Sequence, residues 1–375
     1  MSLLLYFSKW IQVYDFIGLK KSEKLVTFYS EGKNYWPYLE GIIKHLLGES
    51  NITIYYVTSD KDDPGLKEKA SNYHTLLIDD GYMRDWFFKN LNTYILITTM
   101  PDIDNFQIKK SSDTNYYIYT QHSLMSPNCS YRKGSFDHYD IIFCSGQYMI
   151  DEIRKAEEFY DLPKKVLVDH GYTRLDSLKS EYLSFKKNEK PIKQKKILLA
   201  PSWNKEGVLN SSLAEIIIQN SINQGFEITL RPHPESLKYS NDKIKHILNK
   251  FEDNDLFKYE NNIVGNISLF ESDILITDWS GMSLEYAFSM KKPVLYISTP
   301  QKILNEDYHI IGIEAFEASI REKIGIIWDG YSSIETILEN SHIEEYDYSK
   351  DIFNIGKSDE VGALYIKDLV KEFTS

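Results

Sequence analysis

What most limits the folds open to this chain is a repeated alternation of short apolar runs with segments of helical spacing. In the first half the runs are "LVTFYS" (Leu25 to Ser30), "ITIYYV" (Ile52 to Val57), "HTLLI" (His74 to Ile78), "TYILIT" (Thr93 to Thr98), "NYYIYT" (Asn115 to Thr120) and "DIIFCS" (Asp140 to Ser145). The second half repeats the pattern with "KILLAP", "EITLRP", "DILIT" and "PVLYI". Several runs are apolar almost throughout, as strands of a parallel sheet are when helices cover both faces. Intervening stretches such as "YWPYLEGIIKHLL" and "GQYMIDEIRKAEEFY" carry apolar residues at helical spacing. The expectation is therefore two doubly wound α/β domains.

The lysine-rich stretch "SLKSEYLSFKKNEKPIKQKK", Ser177 to Lys196, lacks periodic apolar residues and reads as the connection. The domains expected are 1–178, a linker over 179–196, a second domain over 197–345, and a C-terminal helical segment over 346–375 with an amphipathic helix from Lys357 to Phe373.

With 375 residues, 42% hydrophobic, each domain can bury its own core, and an aromatic share of 14% argues against disorder. A formal charge of −12 makes duplex nucleic acid a poor partner, because binders of phosphate backbones normally present a basic face. An anionic ligand would instead need a local pocket. Two cysteines, Cys129 and Cys144, are too few for a disulfide scaffold or a cysteine-based zinc site, which fits a reducing, cytoplasmic setting. The opening "MSLLLYFSKWIQVYDFIGLKK" is broken by Lys9, Gln12 and Asp15 and has neither the length of a spanning segment nor the layout of a signal peptide. Leu3, Phe7, Trp10, Tyr14 and Ile17 recur at steps of three and four, so this segment is expected to be an amphipathic helix. It either docks on the protein's own core or lies peripherally in a membrane interface.

In open α/β sheets ligands sit beyond the carboxyl ends of the strands, so the residues just after each run are the candidates for chemistry. "YTQHSLMSP" places His122 there, among polar and turn-forming residues; it reads as a general base near neutrality or as a loop histidine without a chemical role. "LLAPSW" places Ser202 at the next such position. "ITLRPHPES" sets Arg231 and His233 around prolines: Arg231 could grip a pyrophosphate through its planar fork, and His233 could donate to a leaving phosphate, or the two could be bonded to backbone carbonyls. In "ILITDWSGMSLEYAF" the strand ends at Asp278, Gly281 allows close backbone approach, and Ser280 or Ser283 can cap the helix that follows. The N–H groups of such a helix start suit a phosphate, and Glu285, about one turn further on, could face a ribose hydroxyl; a capped turn without a ligand is the other reading. "DID" at Asp102 to Asp104 follows a proline in a polar loop and is not taken as a metal site.

Taken in order, "YTQHSLMSP", "GYTRLD" (Gly171 to Asp176), "LLAPSWNKEG", "RPHP" and "SDILITDWSGMSLEYAF" resemble the motifs of the CDP-glycerol glycerophosphotransferases, which polymerise teichoic acids and have relatives in capsule and O-antigen synthesis. The resemblance spans roughly Tyr116 to Ile297. It implies a GT-B fold: two Rossmann-like domains with a cleft between them and the donor nucleotide held mainly by the second. It further implies His122 as the base that deprotonates an acceptor hydroxyl, with His233 the second catalytic histidine. Ser202, Arg231, His233, Asp278, Ser280, Gly281, Ser283 and Glu285 would bind the donor. No metal and no other cofactor is expected. The partners implied are a nucleotide-activated donor of CDP or CMP type and a lipid-linked or polysaccharide acceptor. Trp279 and Gly281 stand where the family has Tyr and a second Ser, and "D-x-S-G-x-x-x-E" is also similar to sugar-nucleotide glycosyltransferases and epimerases. A transferase using another nucleotide sugar, or an epimerase, is therefore the alternative expectation.

Overall fold

The computed structural model describes residues 3–49, 51–105, 108–187, 194–261, 265–340 and 346–374. The chain forms two units, one of residues 1–177, 304–313 and 349–375, the other of 178–303 and 314–348. Among the described residues, thirteen parallel strands make up two sheets, with helices in the connections.

In the first unit the strands are β1 (Val26–Ser30), β2 (Ile54–Thr58), β3 (Tyr73–Leu77), β4 (Ile95–Thr98), β5 (Tyr116–Thr120), β6 (Ile141–Cys144) and β7 (Val166–Asp169), in the spatial order β3-β2-β1-β4-β5-β6-β7. The apolar runs are explained by burial on both faces: along β6, Ile141 and Phe143 enter one core while Ile142 and Cys144 enter the other. The first core also takes Val13 and Phe16 from the N-terminal helix Leu3–Gly18; the second takes Ile366 and Val370 from the C-terminal helix Ser358–Thr374. That last helix packs on the helix Trp36–Glu49, where Gly41 makes room for the Asp359 carboxyl. Residues 349–375 belong to the first unit.

The second unit contains β8 (Lys196–Leu199), β9 (Glu227–Leu230), β10 (Phe257–Tyr259), β11 (Ile274–Thr277), β12 (Val294–Ile297) and β13 (Ile326–Trp328), ordered β10-β9-β8-β11-β12-β13. In both sheets the winding reverses beside the first strand, between β1 and β4 and between β8 and β11. Such a switch point opens a crevice at the strands' carboxyl ends.

The lysine-rich connection is not extended at its start: the helix Thr173–Lys187 occupies it, with Leu178 and Tyr182 buried on one side. Residues 188–193 of the expected linker lie outside the described residues. Both cysteines are buried, and neither is in a disulfide. Among the described residues no helix is long and apolar enough to cross a membrane.

Candidate active site

His122 lies two residues beyond the end of β5. Four tyrosine rings, Tyr35, Tyr38, Tyr119 and Tyr131, meet its imidazole edge to face at centroid separations of 5.7, 6.3, 6.4 and 5.7 Å. The Tyr119 hydroxyl is 3.1 Å from Nδ1 and the Tyr131 hydroxyl 3.5 Å from Nε2. Burial pushes the His122 pKa down to about 4, a hydrogen bond to the Thr99 backbone working in the opposite direction. At neutral pH the ring is uncharged, so one ring nitrogen carries a lone pair able to accept a proton. None of these tyrosines was singled out by the sequence reading. Tyr119 belongs to a strand whose aromatic residues all look alike as core, and only the fold brings Tyr35 and Tyr131 to the same ring.

The aspartates of "DID" are committed within the protein. Both occupy the left-handed backbone region, Asp102 at φ 66° and Asp104 at φ 63°. Asp102 accepts from Ser135 Oγ at 2.6 Å and faces Arg132, while Asp104 faces Lys109 and His138. Among the described residues no group of three or more His, Cys, Asp or Glu side chains could hold a metal.

In the second unit the candidate residues gather at the switch point. Asp278, fully buried, follows β11 and turns its carboxylate inward. Oδ1 accepts the backbone N–H of Ser202 at 2.7 Å and that of Trp279 at 2.7 Å, and Oδ2 accepts that of Val208 at 3.1 Å. Asp278 therefore ties the loop after β8 to the turn after β11. The loop can come this close because residue 207 is glycine: a Cβ there would stand 2.7 Å from Oδ2. Ser202 has its N–H occupied and its hydroxyl buried without a hydrogen-bond partner among the described residues.

Past Asp278, the Ser280 hydroxyl accepts the N–H of Met282 at 3.4 Å, and the Ser283 hydroxyl donates to the Ser280 carbonyl at 2.8 Å. The helix Met282–Met290 starts from Gly281 without a side-chain cap, and Glu285 lies half-buried in its first turn. Trp279 donates through its ring N–H to the Thr299 carbonyl, fixing the turn to the loop after β12.

His233 follows β9 and caps the helix Pro234–Tyr239, its Nδ1 accepting the N–H of Glu235 at 3.1 Å. An Nδ1 that accepts carries no proton, so in the neutral ring the N–H is on Nε2, the form needed to donate to a phosphate oxygen. Its ring neighbours that of Trp203, 6.2 Å away, and Lys302 stands 3.4 Å over the Trp203 ring. Arg231 is buried and turns toward Ser268, 3.3 Å from NH1, and Glu260, 3.9 Å away. Ser202, Asp278, Ser280, Gly281 and Ser283 thus form one connected turn, with His233 close to the same loop and Arg231 beside it on the next strand end.

Two doubly wound parallel sheets with polar turns at their carboxyl ends are the elements of a GT-B architecture. Residues 14–303 match the family described as CDP-Glycerol:Poly(glycerophosphate) glycerophosphotransferase, and the chain belongs to that family. Among solved structures it is similar to a single-residue variant of the wall teichoic acid polymerase TagF soaked with CDPG, at 16% identity and a TM-score of 0.61, with 100% of each chain covered. It is also similar to S. aureus MnaA with UDP, at 12% identity and a TM-score of 0.57 over 94% of this chain and 97% of that one. The UDP-GlcNAc 2-epimerase of Neisseria meningitidis bound to UDP-GlcNAc gives 12% identity and a TM-score of 0.58 over 92% and 99%. At such identities these likenesses concern the fold alone. No curated protein matches the chain.

Proposed function

We propose that the protein transfers glycerophosphate from CDP-glycerol to a hydroxyl of a cell-surface polymer. The observation that carries this reading is the family match, which takes in both His122 and the Ser202–Asp278 turn. An acceptor oxygen attacks the glycerol-bearing phosphorus, a new P–O bond forms, the bond to CMP breaks, and CMP leaves. His122, neutral at pH 7, takes the proton of the attacking hydroxyl. Arg231, the Nε2–H of His233, the Ser202 and Ser280 hydroxyls and the helix start at Gly281 hold the phosphates and stabilise the charge on the departing nucleotide. Ser283 and Asp278 keep that turn in shape, and Glu285 faces the ribose. Incubation with CDP-glycerol and a glycerol-phosphate polymer tests this: CMP release in step with polymer lengthening supports it, and no CMP release in the presence of acceptor contradicts it.

The acceptor is proposed to be lipid-linked, with the protein resting peripherally on the membrane through its N-terminal helix. What supports this is an aromatic face: Phe7, Ile11, Tyr14 and Tyr82 are 57%, 61%, 55% and 71% exposed, around Trp10 and Trp86. The opposite side of the same helix buries Val13 and Phe16 in the core. Both expectations for this segment therefore find support, on different sides of one helix.

A further inference from the structure

Arg321 has no place in any of the motifs and lies beyond the residues that match the family. It is nevertheless among the most committed side chains of the second unit. The residue is 6% exposed, and its guanidinium carbon lies 4.1 Å from the Trp279 ring centroid and 4.2 Å from that of Tyr296. Nη1 donates to the carbonyl of Asp278 at 2.7 Å and Nη2 to the carbonyl of Ile297 at 2.9 Å. The first carbonyl follows β11 and the second ends β12, so one planar fork fixes the carboxyl ends of two neighbouring strands.

Asp278 is held from both directions. Arg321 grips its carbonyl, and its carboxylate grips three backbone N–H groups, those of Ser202, Val208 and Trp279. The chain of contacts runs from Arg321 through Asp278 to Ser202, a residue 4% exposed whose buried hydroxyl has no hydrogen-bond partner among the described residues. Trp279, stacked on the guanidinium, leads into Ser280 and Gly281. A buried cation is costly to desolvate, and burial lowers the Arg321 pKa, yet arginine keeps its charge, so only a site with compensating contacts retains it. Carbonyls and ring faces supply those contacts here.

We infer that Arg321 is a positioning residue of the donor site: acting through Asp278 and Trp279, it sets the Ser202 loop and the Ser280–Gly281 turn as a cradle for the diphosphate of a nucleotide. Neither Arg321 nor Asp278 needs to touch the ligand. The inference rests on the donor reading of the second unit given above. A cradle displaced by about 1 Å can cost on the order of 100-fold in a preorganised site, so the effect of losing the latch is large even though it acts at one remove.

Calorimetric titration with CDP, below the melting temperature of each variant, tests the inference. Arg321→Met should raise the Kd roughly 10- to 100-fold at unchanged stoichiometry, and Arg321→Lys by less, because a point charge cannot bridge both carbonyls. Gly207→Ala probes the same latch from the other end without touching Arg321, since the added methyl must displace the Asp278 carboxylate; it should raise the Kd in the same direction. Wild-type Kd in Arg321→Met, or a loss of stoichiometry with Kd unchanged, would overturn the inference, the second outcome marking a purely structural role. Arg231→Ala, run alongside, separates the two levels: if it weakens CDP while the Arg321 variants do not, the donor site stands and the latch falls. If wild-type protein binds no CDP, the donor reading itself falls, and the inference with it.

Discussion

The Tyr119 hydroxyl stands 3.1 Å from Nδ1 of His122, in the place where catalytic histidines often face a carboxylate. A neutral phenol adds no charge that would raise the histidine's pKa, and burial is left to lower it to about 4. His122 should therefore be unprotonated throughout the neutral pH range, and the acid limb of the turnover profile should fall near pH 4 or be masked by unfolding, not near 6.5. His122→Ala should cut turnover by roughly 100- to 10,000-fold with CDP affinity retained, as judged by initial rates and calorimetry. Wild-type turnover in that variant would remove the base assignment.

The phosphate contacts should separate by strength. Arg231→Ala should weaken CDP binding roughly 10- to 100-fold, whereas Ser280→Ala or Ser202→Ala should cost only severalfold, since charge-assisted hydrogen bonds are worth more than neutral ones. Unchanged affinity in all three variants would place the nucleotide elsewhere.

The N-terminal helix offers a test in which lipid binding and folding respond to different residues. Replacing Phe7 and Ile11 with serine should reduce sedimentation with phosphatidylcholine vesicles while leaving the melting temperature nearly unchanged, because both side chains are exposed. Trp10→Ala should lower the melting temperature, because Trp10 packs against Tyr6, Tyr14, Tyr82 and Trp86. Vesicles of zwitterionic lipid are the informative choice, as the formal charge of −12 disfavours anionic surfaces. Undiminished sedimentation of the double variant would contradict the lipid reading.

Two buried groups of the first unit should give stability a pH dependence of opposite signs. His170, stacked on Phe143 and 1% exposed, has its pKa lowered by burial from 6.5 to about 4. Between those values the unfolded chain binds a proton that the folded one does not, so stability is complete above pH 6.5 and declines as pH falls toward 4. Asp359 is raised to about 6, by burial first and then by Asp176. Its ionised form is disfavoured in the folded state, a penalty relieved as pH falls below 6. Denaturant melts at pH 7.5 and 5 should show His170→Asn reducing the acid loss. Asp359→Asn should stabilise the protein at pH 7.5 more than at pH 5. Parallel pH profiles for both variants and the wild type would refute this account.

The sequence exposed those elements that are buried on both faces and, of the edge strands, only β3. β1, β5, β6 and β11 are continuous apolar runs because helices cover both of their faces. β7, β10 and β13 went unread: each is short and at a sheet edge, and β7 leaves Val166 and Asp169 exposed, so neither periodicity nor apolar content marks them. The same logic divides the site. Ser202, Arg231, His233, Asp278 and Ser280 were legible because strand ends are where ligands bind, and their prolines and glycines punctuate the chain. Arg321 sits in "SIREK", an ordinary polar helical stretch, and only the packing of β11 beside β12 brings it to Asp278. The inward turn of the Asp278 carboxylate was equally hidden, because it depends on Gly207 letting a loop seventy-odd residues earlier approach.

The central claim, phosphoryl transfer from a cytidine donor, is tested most directly by product analysis with the purified chain and matched CDP-glycerol and UDP-sugar donors, with and without a glycerol-phosphate polymer. The account predicts CMP as the nucleotide product, formed in step with polymer that grows by glycerol phosphate units, and little turnover when the polymer is left out. Conversion of a UDP-sugar without acceptor, with CDP-glycerol untouched, would contradict it.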